Sequence, residues 1–207
     1  MIPPAQRVPD QRVTAMQGSV SVGEKPKVRK VRRYLRPDEA HRLIAAAAKR
    51  GRHGFRDRVL LRLVYRHGLR AAEACGLRWS QIDLNNPTVH VARVKGSKDS
   101  LHTLDRDEVR DLRVLRKDSD SAYVFVTERG GPLSTDTLAY IVREAAQEAG
   151  LDVDVHPHML RHAAGYFLAN EGVDTRLIQE FLGHRDIRHT VRYTELSPRR
   201  LATVRVR

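Results

Sequence analysis

The seven residues His156-Pro157-His158-Met159-Leu160-Arg161-His162 decide how the rest of this chain is interpreted. Proline is favoured at the first position of a helix, so Pro157 is expected to open a helix that continues to about Asn170. On that helix His158 and Arg161 are three residues apart and therefore share a face. Further along the chain stand His184, after Leu182-Gly183, and Tyr193, nine residues later. These groups predict one site that combines an anion-binding guanidinium, imidazoles and a phenol.

Two upstream segments supply further cations for the same site. Gly68-Leu69-Arg70-Ala71-Ala72-Glu73 places a carboxylate three residues after Arg70, where it can orient the guanidinium. Lys95 and Lys98 lie in the turn of a predicted hairpin. Two arginines, a lysine, two histidines and a tyrosine predict phosphoryl transfer without a metal ion, because no cluster of metal-binding carboxylates accompanies them. A zinc pair of His158 and His162 is the alternative, disfavoured because no glutamate follows His158.

The charge of the chain favours nucleic acid as the partner. The 207 residues carry a formal charge of +13, and the 38 cations are 31 arginines and 7 lysines. Arginine binds phosphate bidentately, although a GC-rich genome would also enrich it. No apolar stretch approaches the roughly 18 residues of a membrane span, no signal peptide is recognisable, and Cys75 is the single cysteine. We therefore expect a cytoplasmic protein that associates with the nucleoid.

The pattern along the chain predicts an α+β fold that is mostly helical, with a small antiparallel sheet or hairpin. Residues 1–33 lack helical and strand periodicity and are expected to form a disordered basic arm. The cations assigned to DNA in this arm are Lys25, Lys27, Arg29, Lys30, Arg32 and Arg33. A catalytic domain is expected over residues 34–197 and a basic tail over residues 198–207. Strands are predicted at 88–94 and 101–104, and helices at 37–49, 55–65, 71–77, 107–115, 135–149, 157–170, 174–182 and 187–193.

These segments together resemble the tyrosine recombinase (phage integrase) family. The stretch from His156 to His162, Leu182-Gly183-His184 and Tyr193 resembles the signature of that family. The segment around Arg70 resembles its first-arginine box, and Lys95-Gly96 resembles its lysine turn. The resemblance covers about residues 34–197. The sequence from Val155 to Tyr193 is most similar to that of the short fimbrial phase-switch recombinases, which invert a promoter segment.

The resemblance implies a role for each site residue. Tyr193 would attack a scissile DNA phosphate and form a 3′-phosphotyrosyl intermediate, with neither ATP nor a metal. Arg70 and Arg161 would hold the nonbridging oxygens, and Lys95 would protonate the leaving 5′ oxygen, with Lys98 as its competitor for that role. His158 would assist proton transfer from Tyr193. The supporting roles fall to His184 at the phosphate or Tyr193, to Glu73 beside Arg70, and to His162 behind the pocket.

The resemblance also implies the partners. They are double-stranded DNA with paired recombination sites and three further copies of the chain, which would be a monomer when free and a homotetramer on DNA. Residues 1–33 are too short and too charged for the helical DNA-binding domain that most members carry before the catalytic one. We therefore expect salt-sensitive binding and dependence on a DNA-bending accessory protein or on tetramer contacts.

Two other functions fit part of the pattern. A topoisomerase-like enzyme would use the same chemistry to relax DNA without a partner strand. A DNA-binding regulator would keep the surface and not cut, but loss of catalysis should first erode Arg70, Arg161 or Tyr193, and all three are present.

Overall fold

The computed structural model of the protein describes residues 34–93, 98–117 and 119–195, which form eight α-helices and one three-stranded sheet. None of the helices in these ranges is both long enough and apolar enough to cross a membrane. The arm at 1–33, Lys95 and the tail at 198–207 lie outside the described residues. The helices are α1 (Pro37–Ala48), α2 (Gly54–Arg66), α3 (Ala71–Cys75), α4 (Arg106–Lys117), α5 (Thr135–Glu148), α6 (Pro157–Asn170), α7 (Thr175–Leu182) and α8 (Arg188–Glu195).

The helices begin and end close to the predicted positions because their end signals are local. Pro37 and Pro157 occupy the first turns of α1 and α6, as expected from the fixed backbone angle of proline. The Asp174 side chain accepts hydrogen bonds from the first backbone N–H groups of α7. At the other end of α7, Gly183 adopts the left-handed conformation with φ 61°. The confirmed fold class is therefore mostly α with a small antiparallel sheet.

The sheet contains one strand that the sequence pattern does not predict. Strand β2 (Thr88–Val91) pairs with β3 (Ser100–Thr103), and also with β1 (Ile82–Asp83) on its other side. Both pairings are antiparallel, and Val89 faces Ile82 on one side and His102 on the other. Two residues are too few for the apolar alternation that identifies a strand in a sequence.

Two groups of buried apolar side chains hold the helices together. The large one joins α1, α2, α5 and α6 through residues such as Leu43, Leu60, Leu138 and Leu160. The small one joins α6, α7 and α8 and consists of Ala169, Ile178, Leu182 and Tyr193. Since the predicted nucleophile is itself a member of the small core, packing of α8 on α6 determines where its hydroxyl lies.

Some of the arginine excess serves the fold. Arg58, Arg62 and Arg66 are four residues apart and line one face of α2. Arg58 and Arg62 contact Asp111 at 2.9 and 2.8 Å, and Arg66 contacts Asp107 at 2.7 Å. These ion pairs attach α4 to α2, so these three arginines are engaged within the protein.

Candidate active site

Six residues predicted for the site line one small pocket of about 180 Å³. The volume is smaller than that of typical small-molecule sites and suits a single phosphate group at the protein surface. Lys98 is exposed and does not line this pocket. Of the eight lining residues, His189 and Arg192 were not among the predicted site residues. The lining residues are Arg70, His158, Arg161, His162, His184, His189, Arg192 and Tyr193.

The phenol of Tyr193 is buried and hydrogen-bonded. Only 1% of the residue is exposed, and its hydroxyl lies 2.8 Å from Nδ1 of His162. The edge of its ring meets Tyr166, with centroids 4.9 Å apart. Burial raises the pKa of Tyr193 to about 12, although the positive charge of Arg161 opposes the shift. The phenol is therefore neutral in the DNA-free protein.

Two histidines of the pocket, His162 and His184, are neutral as well. Burial is the main cause, and neighbouring positive groups add to it, lowering the pKa of His162 and of His184 to about 3. The pKa of His158 is lowered for the same reasons. His184 is held by a hydrogen bond of 2.8 Å between its Nδ1 and Oγ1 of Thr190. A neutral imidazole has a nitrogen lone pair that can accept the proton of a phenol.

Glu73 orients Arg70 at the first turn of α3. One carboxylate oxygen accepts the backbone N–H of Arg70 at 2.9 Å, and the other accepts its guanidinium at 2.7 Å. Burial of Glu73 raises its pKa, but these hydrogen bonds and the charge of Arg93 outweigh burial and hold the pKa below its ordinary value. Glu73 is thus ionised, and the guanidinium of Arg70 is fixed at the pocket rim.

The carboxyl end of α7 binds three arginines on three successive carbonyl groups. The guanidiniums of Arg93, Arg161 and Arg70 donate to the carbonyl oxygens of Phe181, Leu182 and Gly183 respectively, the last at 3.2 Å. The last carbonyls of a helix lack partners within the helix, and the helix dipole places partial negative charge there. This helix end therefore gathers cations, two of which line the pocket.

Arg93 is a buried residue of the site region that the sequence reasoning missed. Its side chain is 0% exposed and contacts Glu73 at 2.8 Å. A signal for it exists in the sequence. Val89 and Val91 face the core from β2, and two-residue alternation places the side chain of residue 93 on that same face. A cation at an inward position of a strand pattern marks a buried charge that needs a partner.

Two glycines let side chains of the site approach the backbone closely. A Cβ on Gly165 of α6 would lie 2.7–2.9 Å from three ring carbons of Tyr193. A Cβ on Gly183 would lie 2.9–3.0 Å from the side chain of Arg93, and its φ of +61° already disfavours other residues. The glycine of Leu182-Gly183-His184 thus serves both the end of α7 and the packing of Arg93.

The site carries more positive than negative charge. Arg70, Arg93 and Arg161 with Glu73 have a net charge of +2. Arg161 is 1% exposed, and burial together with the charges of Arg70 and Arg93 lowers its pKa to about 9. It stays charged at neutral pH, and a bound anion would relieve the repulsion.

The acidic groups with metal-binding spacing do not belong to this pocket. Within the described ranges, one such group occurs, in which carboxylate oxygens of Asp105, Asp107 and Glu108 lie within 4.8 Å of one another. Arg66 contacts all three carboxylates at 2.7–3.5 Å, and Arg62 contacts Asp107 at 3.1 Å, so these carboxylates are engaged by arginines. The His158 and His162 rings meet edge to face with centroids 4.5 Å apart, while Nδ1 of His162 is bonded to Tyr193.

A mostly helical domain with a small antiparallel sheet, two arginines and a tyrosine at one pocket defines the catalytic domain of a tyrosine recombinase. The crystal structure of XerA recombinase is similar, with a TM-score of 0.70 and 32% identity. The similarity covers 82% of this chain and 62% of that chain, so the present chain spans about three fifths of XerA.

The chain belongs to the phage integrase family, whose profile matches residues 33–200. It is 42% identical to the type 1 fimbriae regulatory protein FimB of Escherichia coli K12 over 171 residues, which cover 80% of this chain and 85% of FimB. It is also 42% identical to FimE of the same strain over 178 residues, which cover 83% of this chain and 89% of FimE. The resemblance found in the sequence is confirmed, and the protein is a tyrosine site-specific recombinase, an enzyme that cleaves and rejoins DNA.

Proposed function

We propose that Tyr193 is the nucleophile of this recombinase. Its oxygen attacks a scissile phosphate, forms a bond to phosphorus and displaces the 5′ oxygen of the next nucleotide, which leaves with a proton. The product is a 3′-phosphotyrosyl link and a free 5′-hydroxyl. Attack by a 5′-hydroxyl of the partner strand reverses the step, and the link conserves the bond energy, so the reaction requires neither ATP nor a metal. The observation that carries this proposal is the hydrogen-bonded Tyr193 phenol in one pocket with Arg70 and Arg161.

In this proposal Arg70 and Arg161 bind the two nonbridging oxygens of the scissile phosphate. Charge on these oxygens grows as phosphorus becomes five-coordinate, and fixed guanidiniums stabilise it more strongly in a water-poor site than in water. The hydrogen bonds to the end of α7 support this role, because they hold both side chains in place before DNA arrives. His184, which is hydrogen-bonded to Thr190 and lines the same pocket, supports the phosphate or Tyr193.

Proton transfer is divided between two sides of the phosphate. Lys95 is the proposed general acid for the leaving 5′ oxygen, and it lies outside the described residues. On the nucleophile side we assign the direct contact with the phenol to His162, where the sequence alone favoured His158. The ring of His158 packs edge to face on that of His162. His158 would accept the phenol proton of Tyr193 either by way of His162 or across the bound phosphate.

Replacing His162 by phenylalanine should slow cleavage about 10- to 100-fold, because the phenol of Tyr193 loses its hydrogen bond to the imidazole. His162→Asn should lose less, since its side-chain amide can reach the position of Nδ1. The measurement is the rate of covalent adduct formation on a nicked suicide substrate at saturating enzyme. His156→Asn is the control, because His156 is exposed and outside the pocket. Equal rates for His162→Phe and the wild type would exclude this role.

The DNA target is proposed from the relatives. FimB and FimE are named as regulatory proteins of type 1 fimbriae, and by resemblance we propose that this enzyme inverts a promoter segment between two inverted repeats on the nucleoid. Four copies would assemble on paired sites, and a DNA-bending protein would assist them. In this proposal residues 34–197 are the catalytic domain, while the basic arm at 1–33 follows the DNA backbone and residues 198–207 form a tail.

The proposed reaction is tested on plasmids that carry two candidate repeats in inverted orientation. Recombination should change the restriction pattern without loss of DNA. The reaction should proceed without added metal or ATP. Relaxed plasmid with an unchanged restriction pattern would favour a topoisomerase-like enzyme. Binding with no covalent adduct on any nicked repeat would favour a regulator that does not cut.

A further inference from the structure

Three arginines donate to carbonyl oxygens at the end of α7, namely Arg70, Arg93 and Arg161. Of these three, Arg93 does not line the pocket around Tyr193. Its side chain is fully buried, donates to the carbonyl oxygen of Phe181, and contacts the carboxylate of Glu73 at 2.8 Å. Weaker contacts of 3.5 Å reach the carbonyl oxygen of Gly68 and the hydroxyl of Ser100. It therefore cannot touch the scissile phosphate, and any effect on the reaction must pass through these partners.

The partner that matters most is Glu73, because this carboxylate also holds Arg70. One Glu73 oxygen accepts the Arg70 guanidinium at 2.7 Å, and the other contacts Arg93 at 2.8 Å. The Glu73 side chain is only 2% exposed, so solvent screens these interactions poorly. A carboxylate facing Arg70 alone would cancel much of the charge that Arg70 presents to a phosphate. With Arg93 on its other oxygen, Glu73 fixes the geometry of Arg70 while the group keeps a net positive charge.

A second link connects Arg93 to the position of Arg161. Both donate to neighbouring carbonyls at the end of α7, those of Phe181 and Leu182, and both approach the carbonyl oxygen of Gly68. The absence of a side chain at Gly183 gives Arg93 the room to do so. Arg93 thus holds together the two backbone segments against which the phosphate-binding arginines are fixed.

We propose that Arg93 is a positioning residue of the recombination reaction: it neutralises Glu73, so that Glu73 orients Arg70 without cancelling the charge that Arg70 offers to the scissile phosphate. This inference rests on the phosphate-binding role proposed above for Arg70. The proposed role differs from a purely structural one, because the effect of Arg93 on the cleavage rate is assigned to the charge balance at Glu73.

The test is the effect of Glu73→Gln in two backgrounds, measured as the rate of covalent adduct formation on a saturating nicked suicide substrate. Arg93→Met, with Arg93→Gln as a second neutral variant that keeps a hydrogen-bond donor, should slow cleavage about 10- to 100-fold. Adding Glu73→Gln to either variant should restore about tenfold, because the uncompensated carboxylate is removed. In the wild type and in Arg93→Lys, which keeps the positive charge, Glu73→Gln should instead slow cleavage. Whether Glu73→Gln accelerates or slows cleavage thus depends on the charge of residue 93.

A structural role alone predicts a different outcome. In that case Glu73→Gln would change the cleavage rate only as far as it changes thermal stability, which is measured for each variant, because removing an uncompensated buried carboxylate also restores stability. That result, or cleavage by Arg93→Gln at the wild-type rate, would overturn the inference. Failure of the proposed function is recognised separately, because the wild-type enzyme would then form no adduct at all.

Discussion

Replacing Tyr193 by phenylalanine is expected to abolish the covalent protein–DNA adduct, with a loss of at least about 10⁴-fold in cleavage rate. The substitution removes the nucleophilic oxygen and leaves the ring, which packs against Tyr166 and within the small core of α6, α7 and α8. The cost in folding stability should be about 1 kcal/mol, the worth of the hydrogen bond to His162. DNA binding should change little. A denaturing gel of the nicked substrate and a gel shift measure the two effects.

Tyr65→Phe is the matched control, since Tyr65 is also buried in a helix but lies outside the pocket. It should form adduct at the wild-type rate. An adduct that persists in Tyr193→Phe would assign the nucleophile to another residue and remove the basis of the proposed mechanism.

Adding one methyl group at Gly165 should have the next largest effect. A Cβ there would overlap three ring carbons of Tyr193 at 2.7–2.9 Å, so the ring has to move. A displacement of about 1 Å at a reacting group can cost about 100-fold in rate, which is the expected loss for Gly165→Ala. The free energy of unfolding should fall by about 2 kcal/mol at most. Overpacking costs about 1–3 kcal/mol, and alanine regains up to about 1 kcal/mol of helix propensity. Adduct formation and thermal unfolding separate the two quantities.

Gly131→Ala serves as the control for Gly165→Ala, because a Cβ at Gly131 meets nothing within 4 Å. Its cleavage rate should equal that of the wild type. If Gly165→Ala cleaves within about twofold of the wild type, the DNA-bound position of Tyr193 differs from the one observed in the free protein, and the glycine is not needed for the reaction.

Much of the fold was predictable because helix ends are encoded locally. The proline of α6, the aspartate before α7 and the glycine after it act within one turn, and the predicted bounds of these helices lie within one residue of the observed ones. Strand β1 was missed because two residues carry no period, and its existence depends on pairing with β2. The ion pairs between α2 and α4 were also missed, since they join residues about 45 positions apart.

The family, the candidate site residues and the helices that carry them could be predicted from the sequence, because residue types at short spacings encode these features. Three contacts depend on tertiary packing: His162 with the phenol of Tyr193, Gly165 with the ring of Tyr193, and Arg93 with the Glu73 that also holds Arg70. These contacts join segments that are far apart in the chain. Their distances depend on how α6, α7, α8 and the sheet pack, and no local pattern records that packing.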